Sequence, residues 1–140
     1  MAISDQEISV SEEDRAALVG LTHRIAGAWR AYDPDAFAGV FTEDGTMILP
    51  GLYEKGRSAI SSFMSGAFAG PYKGSQVTGE PIDVRFLDEQ TGLLITEGGV
   101  MQAGETEVAP ERAIRATWIV VKQDGEWRLA AYQNTPRDPS

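Results

Sequence analysis

Near the C-terminal end, Tyr132 and Asn134 are the side chains best suited to orient a ligand's carbonyl or hydroxyl. Each can donate and accept a hydrogen bond. On a strand, a spacing of two puts them on one face. Strict alternation groups Arg128, Ala130, Tyr132 and Asn134 against Trp127, Leu129, Ala131 and Gln133. Arg115 shares a face with Thr117, Ile119 and Val121. If that face is inward, the guanidinium must bind an anion or be paired, because an unpaired buried charge is costly. Gln102 and Glu97 are its candidate companions, and the alternative is an ion pair with Glu111, Glu97 or Asp83 that merely closes the sheet. Asp83 and Arg85, again two apart, could form an acid–base pair or a surface salt bridge. His23 is the only histidine, but at 100° per residue it falls opposite the apolar stripe of its helix, which argues against catalysis. Lys55-Gly56-Arg57 lacks the glycine-rich loop of a phosphate site, and Glu43-Asp44 sits in a turn unsuited to a metal. With no cysteine there is no thiolate nucleophile and no zinc–sulfur site. No metal and no redox cofactor is implied.

The elements that must position these groups begin with a helix. Ser11 precedes Glu12, Glu13 and Asp14, a hydroxyl cap followed by acidic residues where the helix dipole favours them. Leu18, Leu21, Ile25, Ala28, Trp29 and Tyr32 form its apolar stripe, as core or as pocket wall. Asp33-Pro34 breaks this helix and caps a short second one with Phe37, Val40 and Phe41 on its apolar face. A turn at Glu43-Asp44-Gly45, a strand over Thr46 to Leu49, a loop after Pro50-Gly51 and a third helix over Ser58 to Phe68 follow. Gly70-Pro71-Tyr72-Lys73-Gly74 reads as a lid over a pocket or as an ordinary connection. Strands are predicted over 77–87, with Ile82, Val84 and Phe86 on one face, and over 93–102, where Gly98-Gly99 imply a bulge or bend. A hairpin joins 111–122 to 126–135 through Asp124-Gly125. Helices first and strands after predict a single α+β domain over 1–140, with an arm at 1–10 and a tail at 136–140. Strands apolar on both faces predict a homodimer that covers the outer face.

Charge narrows the partners. The 140 residues carry 12 Lys plus Arg against 21 Asp plus Glu, a net charge of −9. That field repels phosphate backbones and anionic lipid, so neither nucleic acid nor a membrane is expected. No apolar run reaches the length of a spanning helix and the N-terminus has no leader pattern, so a cytoplasmic protein is expected.

The order D-P-D-A-F-A-G-V-F-T-E-D-G-T-M-I-L-P-G (33–51) followed by K-G-R-S-A-I-S-S-F (55–63) resembles the nuclear-transport-factor-2-like, or SnoaL-like, superfamily. The segments G-P-Y-K-G-S-Q-V-T-G (70–79) and W-R-L-A-A-Y-Q-N-T-P (127–136) are similar to the SgcJ-type proteins encoded with nine-membered enediyne polyketide pathways. The resemblance implies a cone in which three helices pack on a strongly curved mixed sheet and enclose one deep pocket. It also implies that Tyr132, Asn134 and Arg115 face the pocket, with Trp29, Tyr32, Phe41, Leu49, Phe63, Phe68 and Gln102 as further lining.

The superfamily's acid–base positions do not carry over. Where the steroid-isomerase branch has its proton-abstracting carboxylate this chain has Leu49, and where that branch has its oxyanion tyrosine it has Ile25. The histidine of the dehydratase branch has no inward counterpart, and Asp83-Val84-Arg85 offers only part of the Asp-Arg-Asp cluster of the epoxide-hydrolase branch. Three functions remain open. The first is a pocket that binds an apolar conjugated polyketide intermediate and carries it or steers its cyclisation, with catalytic candidates Tyr132, Asn134 and Arg115. The second is a cofactor-independent cyclase, isomerase or hydrolase acting through Asp83/Arg85 or Tyr132. The third is an adaptor that contacts a polyketide synthase.

Overall fold

The computed structural model describes residues 10–138. The expected arm therefore lies outside the described residues except for Val10, as do the last two residues of the tail. Helix α1 spans Glu12–Arg30, α2 Pro34–Ala38 and α3 Arg57–Ala69. The strands are β1 Phe41–Leu49, β2 Leu52–Lys55, β3 Gln76–Asp88, β4 Thr91–Met101, β5 Ile114–Gln123 and β6 Glu126–Pro136, with a 3-10 turn at Pro110–Arg112 before β5. They form one six-stranded sheet in the order β2-β1-β6-β5-β4-β3, parallel only between β1 and β6. The fold is the expected α+β arrangement, a curved and unclosed mixed sheet with the helices in its concavity.

Local chemistry accounts for the helix ends. The Ser11 hydroxyl accepts from the Asp14 N–H at 3.1 Å, and the Asp14 carboxylate accepts from the Ser11 N–H at 3.4 Å, a reciprocal capping box. Asp14 also accepts from Trp127 Nε1 at 2.9 Å and Lys122 Nζ at 3.1 Å, which ties the start of α1 to the β5–β6 hairpin. Asp33 caps α2 by accepting from the Ala36 N–H at 3.0 Å. At the far end of α1, the N–H groups of Tyr32 and Asp33 return to the carbonyls of Trp29 and Ala28. This doubled closure puts Tyr32 at φ +51°, a conformation that usually goes to glycine.

Four sequence expectations need correction. Helix α2 stops at Ala38, so Phe41 opens β1 instead of extending a helical face. The expected turn at Glu43-Asp44-Gly45 is a bulge inside β1, where the pairing with β6 shifts between Phe41 and Thr46. Residues after Pro50-Gly51 form the edge strand β2, which pairs with β1 from Leu49↔Leu52 to Thr46↔Lys55. A register shift between Pro81 and Asp83 turns Ile82 out, 54% exposed, away from the face of Val84 and Phe86. Gly98 is needed where it stands, because a Cβ there would overlap the Thr78 carbonyl as β3 and β4 bend together.

The core fills the concave side. Leu18, Phe41, Ile60, Leu94, Val120 and Leu129 are fully buried, each worth about 1.5–3 kcal/mol of burial. Among the described residues no helix is long and apolar enough to cross a membrane.

Candidate functional site

Between the helices and the concave face lies a cavity of about 90 Å³. Ile25, Ala26 and Trp29 of α1, Phe37 of α2 and Met64 of α3 form one side. Phe41, Met47, Thr96, Trp118, Leu129, Tyr132 and Asn134 form much of the other. At Leu49, Tyr72, Val100, Ile114 and Asn134 this cavity meets a wider, open mouth of about 630 Å³. Those five residues line both spaces and make the ring between them.

The cavity wall contains no carboxylate, imidazole, ammonium or guanidinium; its only ionisable groups are the phenols of Tyr72 and Tyr132. Burial pushes the Tyr132 phenol up to about 12 and also raises that of Tyr72, so both are neutral hydrogen-bonding groups at ordinary pH. Asn134 Nδ2 donates to Tyr132 Oη at 3.0 Å, which leaves the phenol's own hydrogen to offer to a ligand. The Tyr132 ring stands edge-on to Trp118 at 5.3 Å, and Trp118 Nε1 donates to Thr96 Oγ1 at 3.0 Å. This packing fixes the phenol's direction.

The Gly70–Ser75 segment is fastened over the cavity from the α1 side. Ser75 is buried; its hydroxyl accepts from Trp29 Nε1 at 3.0 Å and donates to the Tyr72 carbonyl at 2.5 Å. Its carbonyl accepts from Tyr32 Oη at 3.0 Å. Tyr72 stacks at a tilt on Trp29, with ring centres 4.7 Å apart. The left-handed backbone of Tyr32 is thus held by its hydroxyl bond and by its ring's contact with Phe68 at 5.7 Å.

Of the expected lining, Trp29, Phe41, Leu49, Tyr132 and Asn134 do meet the cavity. Tyr32, Phe63 and Phe68 do not line it. Phe68 buttresses Trp29 from behind at 5.5 Å, Phe63 packs against the core, and Tyr32 serves the Ser75 latch. Gln102 is exposed and lines the mouth, where its backbone N–H donates to Glu105 at 2.6 Å. Arg115 points the other way. Its guanidinium holds Glu97, its cross-strand neighbour, at 2.6 and 2.9 Å on the outer face, which is the sheet-closing ion pair of the alternative reading. Asp83 and Arg85 also take the outer register, opposite Ile95 and Leu93, and no ion pair joins them among the described residues. His23 is exposed on the solvent side of α1.

Sequence alternation missed Leu129 because of one extra residue in β6, and Trp118 because the opposite face of β5 was turned inward by analogy. Pairing shifts between Ile119↔Ala131 and Val120↔Leu129, leaving Ala130 as a bulge in β6. Trp127 and Leu129 face inward before the bulge, and Tyr132 and Asn134 after it. Across β5 the inward set is Ala116, Trp118 and Val120, so Arg115 is excluded. The apolar set in β5 was itself a signal, since the opposite face carried the charge. Tyr72 was missed as a wall residue because its loop has no periodicity to read.

Solved structures share this fold. A domain of unknown function with a cystatin-like fold from Nostoc punctiforme superposes with a TM-score of 0.85 at 28% identity, covering 93% of this chain and 81% of that one. A nuclear-transport-factor-2-like protein from Novosphingobium aromaticivorans gives 0.79 at 22% identity over 91% and 84%. A ketosteroid isomerase-like protein from Erwinia carotovora atroseptica gives 0.70 at 19% over 92% and 100%. No curated protein matches the chain. The family model described as the SnoaL-like domain matches residues 11–133. By that match, over most of its length, the chain belongs to the SnoaL-like family.

Proposed function

We propose that this protein binds an apolar, conjugated polyketide intermediate of the enediyne-core or polyene type, and carries it or assists its cyclisation. The observation that carries this reading is a cavity walled by aromatic and aliphatic side chains whose polar groups are all neutral. Such a wall takes up apolar surface, while Tyr132 and Asn134 give one oriented hydrogen-bonding point to a carbonyl or hydroxyl. Any assistance to a reaction comes from holding a reactive conformer away from water. Proton abstraction by a carboxylate has no support in this cavity, and Asp83 and Arg85 lie on the opposite side of the sheet. The polyketide class rests on the sequence resemblance of 70–79 and 127–136.

The test is native mass spectrometry of the protein co-expressed with a polyketide synthase of that class. A bound species identical to the free synthase product identifies a carrier, and an isomer with a changed ultraviolet spectrum or a loss of water identifies a cyclase. An empty protein that holds the synthase instead makes it an adaptor and overturns the reading. We propose also that a second copy covers the outer sheet face, where Ile119 is 38% and Leu87 51% exposed. Light scattering should then give a dimer mass that Ile119→Lys reduces to a monomer; a monomeric wild type would rule this out.

A further inference from the structure

The mouth differs from the cavity in carrying charge. Lys73, Glu111 and Arg112 line it, two cations against one carboxylate, in a chain whose overall charge is −9. Arg112 is held in an unusual way. Glu105 takes only its Nη2, at 2.5 and 2.6 Å from the two carboxylate oxygens. The neighbouring Nε–H is buried with no hydrogen-bond partner. A carboxylate normally takes the Nε–Nη2 edge of a guanidinium side-on, one oxygen to each nitrogen. Here half of that edge is empty, and a buried N–H without a partner is costly. Lys73, across the loop from the cavity wall at Tyr72, makes no ion pair among the described residues.

We propose that the mouth is a carboxylate subsite, so that the ligand is an apolar acid with its chain in the cavity and its head group at Arg112 and Lys73. This rests on the pocket reading above and names the ligand class for it. The head group takes the Nε–Nη2 edge by displacing Glu105, whose own attachment is completed only by the Gln102 N–H. The acid's hydrocarbon passes the ring at Leu49, Val100 and Ile114, which is apolar and suits it. Arg112 already holds the Glu105 carboxyl below its usual range through Nη2, so its guanidinium favours the ionised form of a ligand acid as well.

Octanoate and octan-1-ol, two probes with the same chain, test this by isothermal titration calorimetry on the full chain. Octanoate should bind about tenfold tighter, although the alcohol is the more readily desolvated molecule. Arg112→Gln should bring octanoate down to the alcohol's level and leave the alcohol unchanged. Glu105→Gln keeps an oxygen for the Gln102 N–H, removes the competing charge and should tighten octanoate binding, an effect a merely structural ion pair would not give. Equal binding of acid and alcohol, or no gain in Glu105→Gln, overturns the carboxylate subsite while the pocket reading stands. If neither probe binds, the pocket reading fails and the subsite with it.

Discussion

The inner cavity and its mouth share five residues yet are built on opposite principles. The cavity is about 90 Å³, walled by side chains that also form the hydrophobic core, with two neutral phenols as its only ionisable groups. The mouth is about sevenfold larger, open to solvent, and holds two cations and a carboxylate. The difference separates two jobs. A wall that is simultaneously core cannot host an unpaired charge without losing stability, so the cavity is confined to shape, desolvation and one neutral hydrogen bond. Charged side chains are instead found at the mouth, where Lys73 is exposed and Arg112 half-buried. The Gly70–Ser75 segment, with Tyr72 facing both spaces, is the partition between them.

If that division holds, truncating a wall residue damages the fold and truncating a mouth residue does not. Trp118 is buried, donates to Thr96 and packs on Tyr132. Trp118→Ala should cost about 3–5 kcal/mol in urea unfolding, the transfer and cavity terms together. Lys73→Ala should stay within about 0.5 kcal/mol of wild type. Comparable losses at both positions would mean that the mouth is structural too.

The partition comes next in size. Ser75→Ala leaves Trp29 Nε1 without its acceptor in a buried setting, at about 1–3 kcal/mol. The Tyr32 bond to the Ser75 carbonyl survives, so the loop stays attached at one point. Stopped-flow binding of octan-1-ol should show faster entry and exit with a smaller change in affinity. A loss of affinity carried by faster exit alone, with the entry rate unchanged, would make Ser75 part of the wall, not its latch.

How much of this was legible follows from where period and register are enforced. The α1 cap, the Asp33-Pro34 break and the Asp124-Gly125 hairpin depend on local chemistry, and the residues that make them announce them. Asp124 and Gly125 both adopt positive φ, as the tight turn demands. The sheet was different. Alternation counts residues, and two irregularities, at Ile82 and Ala130, each add a residue that shifts every later side chain to the other face. The one at 42–45 interrupts the pairing yet leaves Phe41, Met47 and Leu49 all on the cavity side. Tyr132 and Asn134 line the cavity from beyond the Ala130 bulge, while Arg128, which strict alternation groups with them, lies on the near side of it and pairs with Glu126. Arg115 was turned inward by analogy, against the plainer physical signal that Ala116, Trp118 and Val120 are the apolar set. Strand β2 was unreadable because four residues at an edge need bury only alternate side chains.

A polar cluster outside both chambers gives an acid-sensitive control. Asp14 receives hydrogen bonds from Trp127 and Lys122 and from the Ser11 N–H, and the Trp127 bond is the main reason its carboxyl lies below its usual 3.8. A folded pKa below the unfolded one means stability that is present above pH 3.8 and lost as pH falls through the depressed value. Asp14→Ala should cost about 1–2 kcal/mol near neutrality and flatten that acid limb, read by urea melts at several pH values. Ligand affinity should not change, since Asp14 lines neither chamber.

The smallest effect is the most informative about the cavity. Tyr132→Phe keeps the ring against Trp118 and removes the acceptor of Asn134, at about 0.5–1.5 kcal/mol. The phenol's folded value of about 12 exceeds its ordinary 10.0, so its contribution is whole below pH 10 and lost as pH rises through 12. Subtracting the variant's alkaline stability curve from the wild type's should isolate that loss, with the same-signed contribution of Tyr72 cancelling. Between about pH 5 and pH 9 the phenol is uncharged in both folded and unfolded chains, so its hydrogen bond to a neutral ketone ligand should be independent of pH. A ketone affinity that falls in Tyr132→Phe and is flat in wild type fits a cavity that orients without titrating. A bell-shaped pH profile with turnover lost and affinity kept would place acid–base chemistry inside the apolar wall and erase the division between the two chambers.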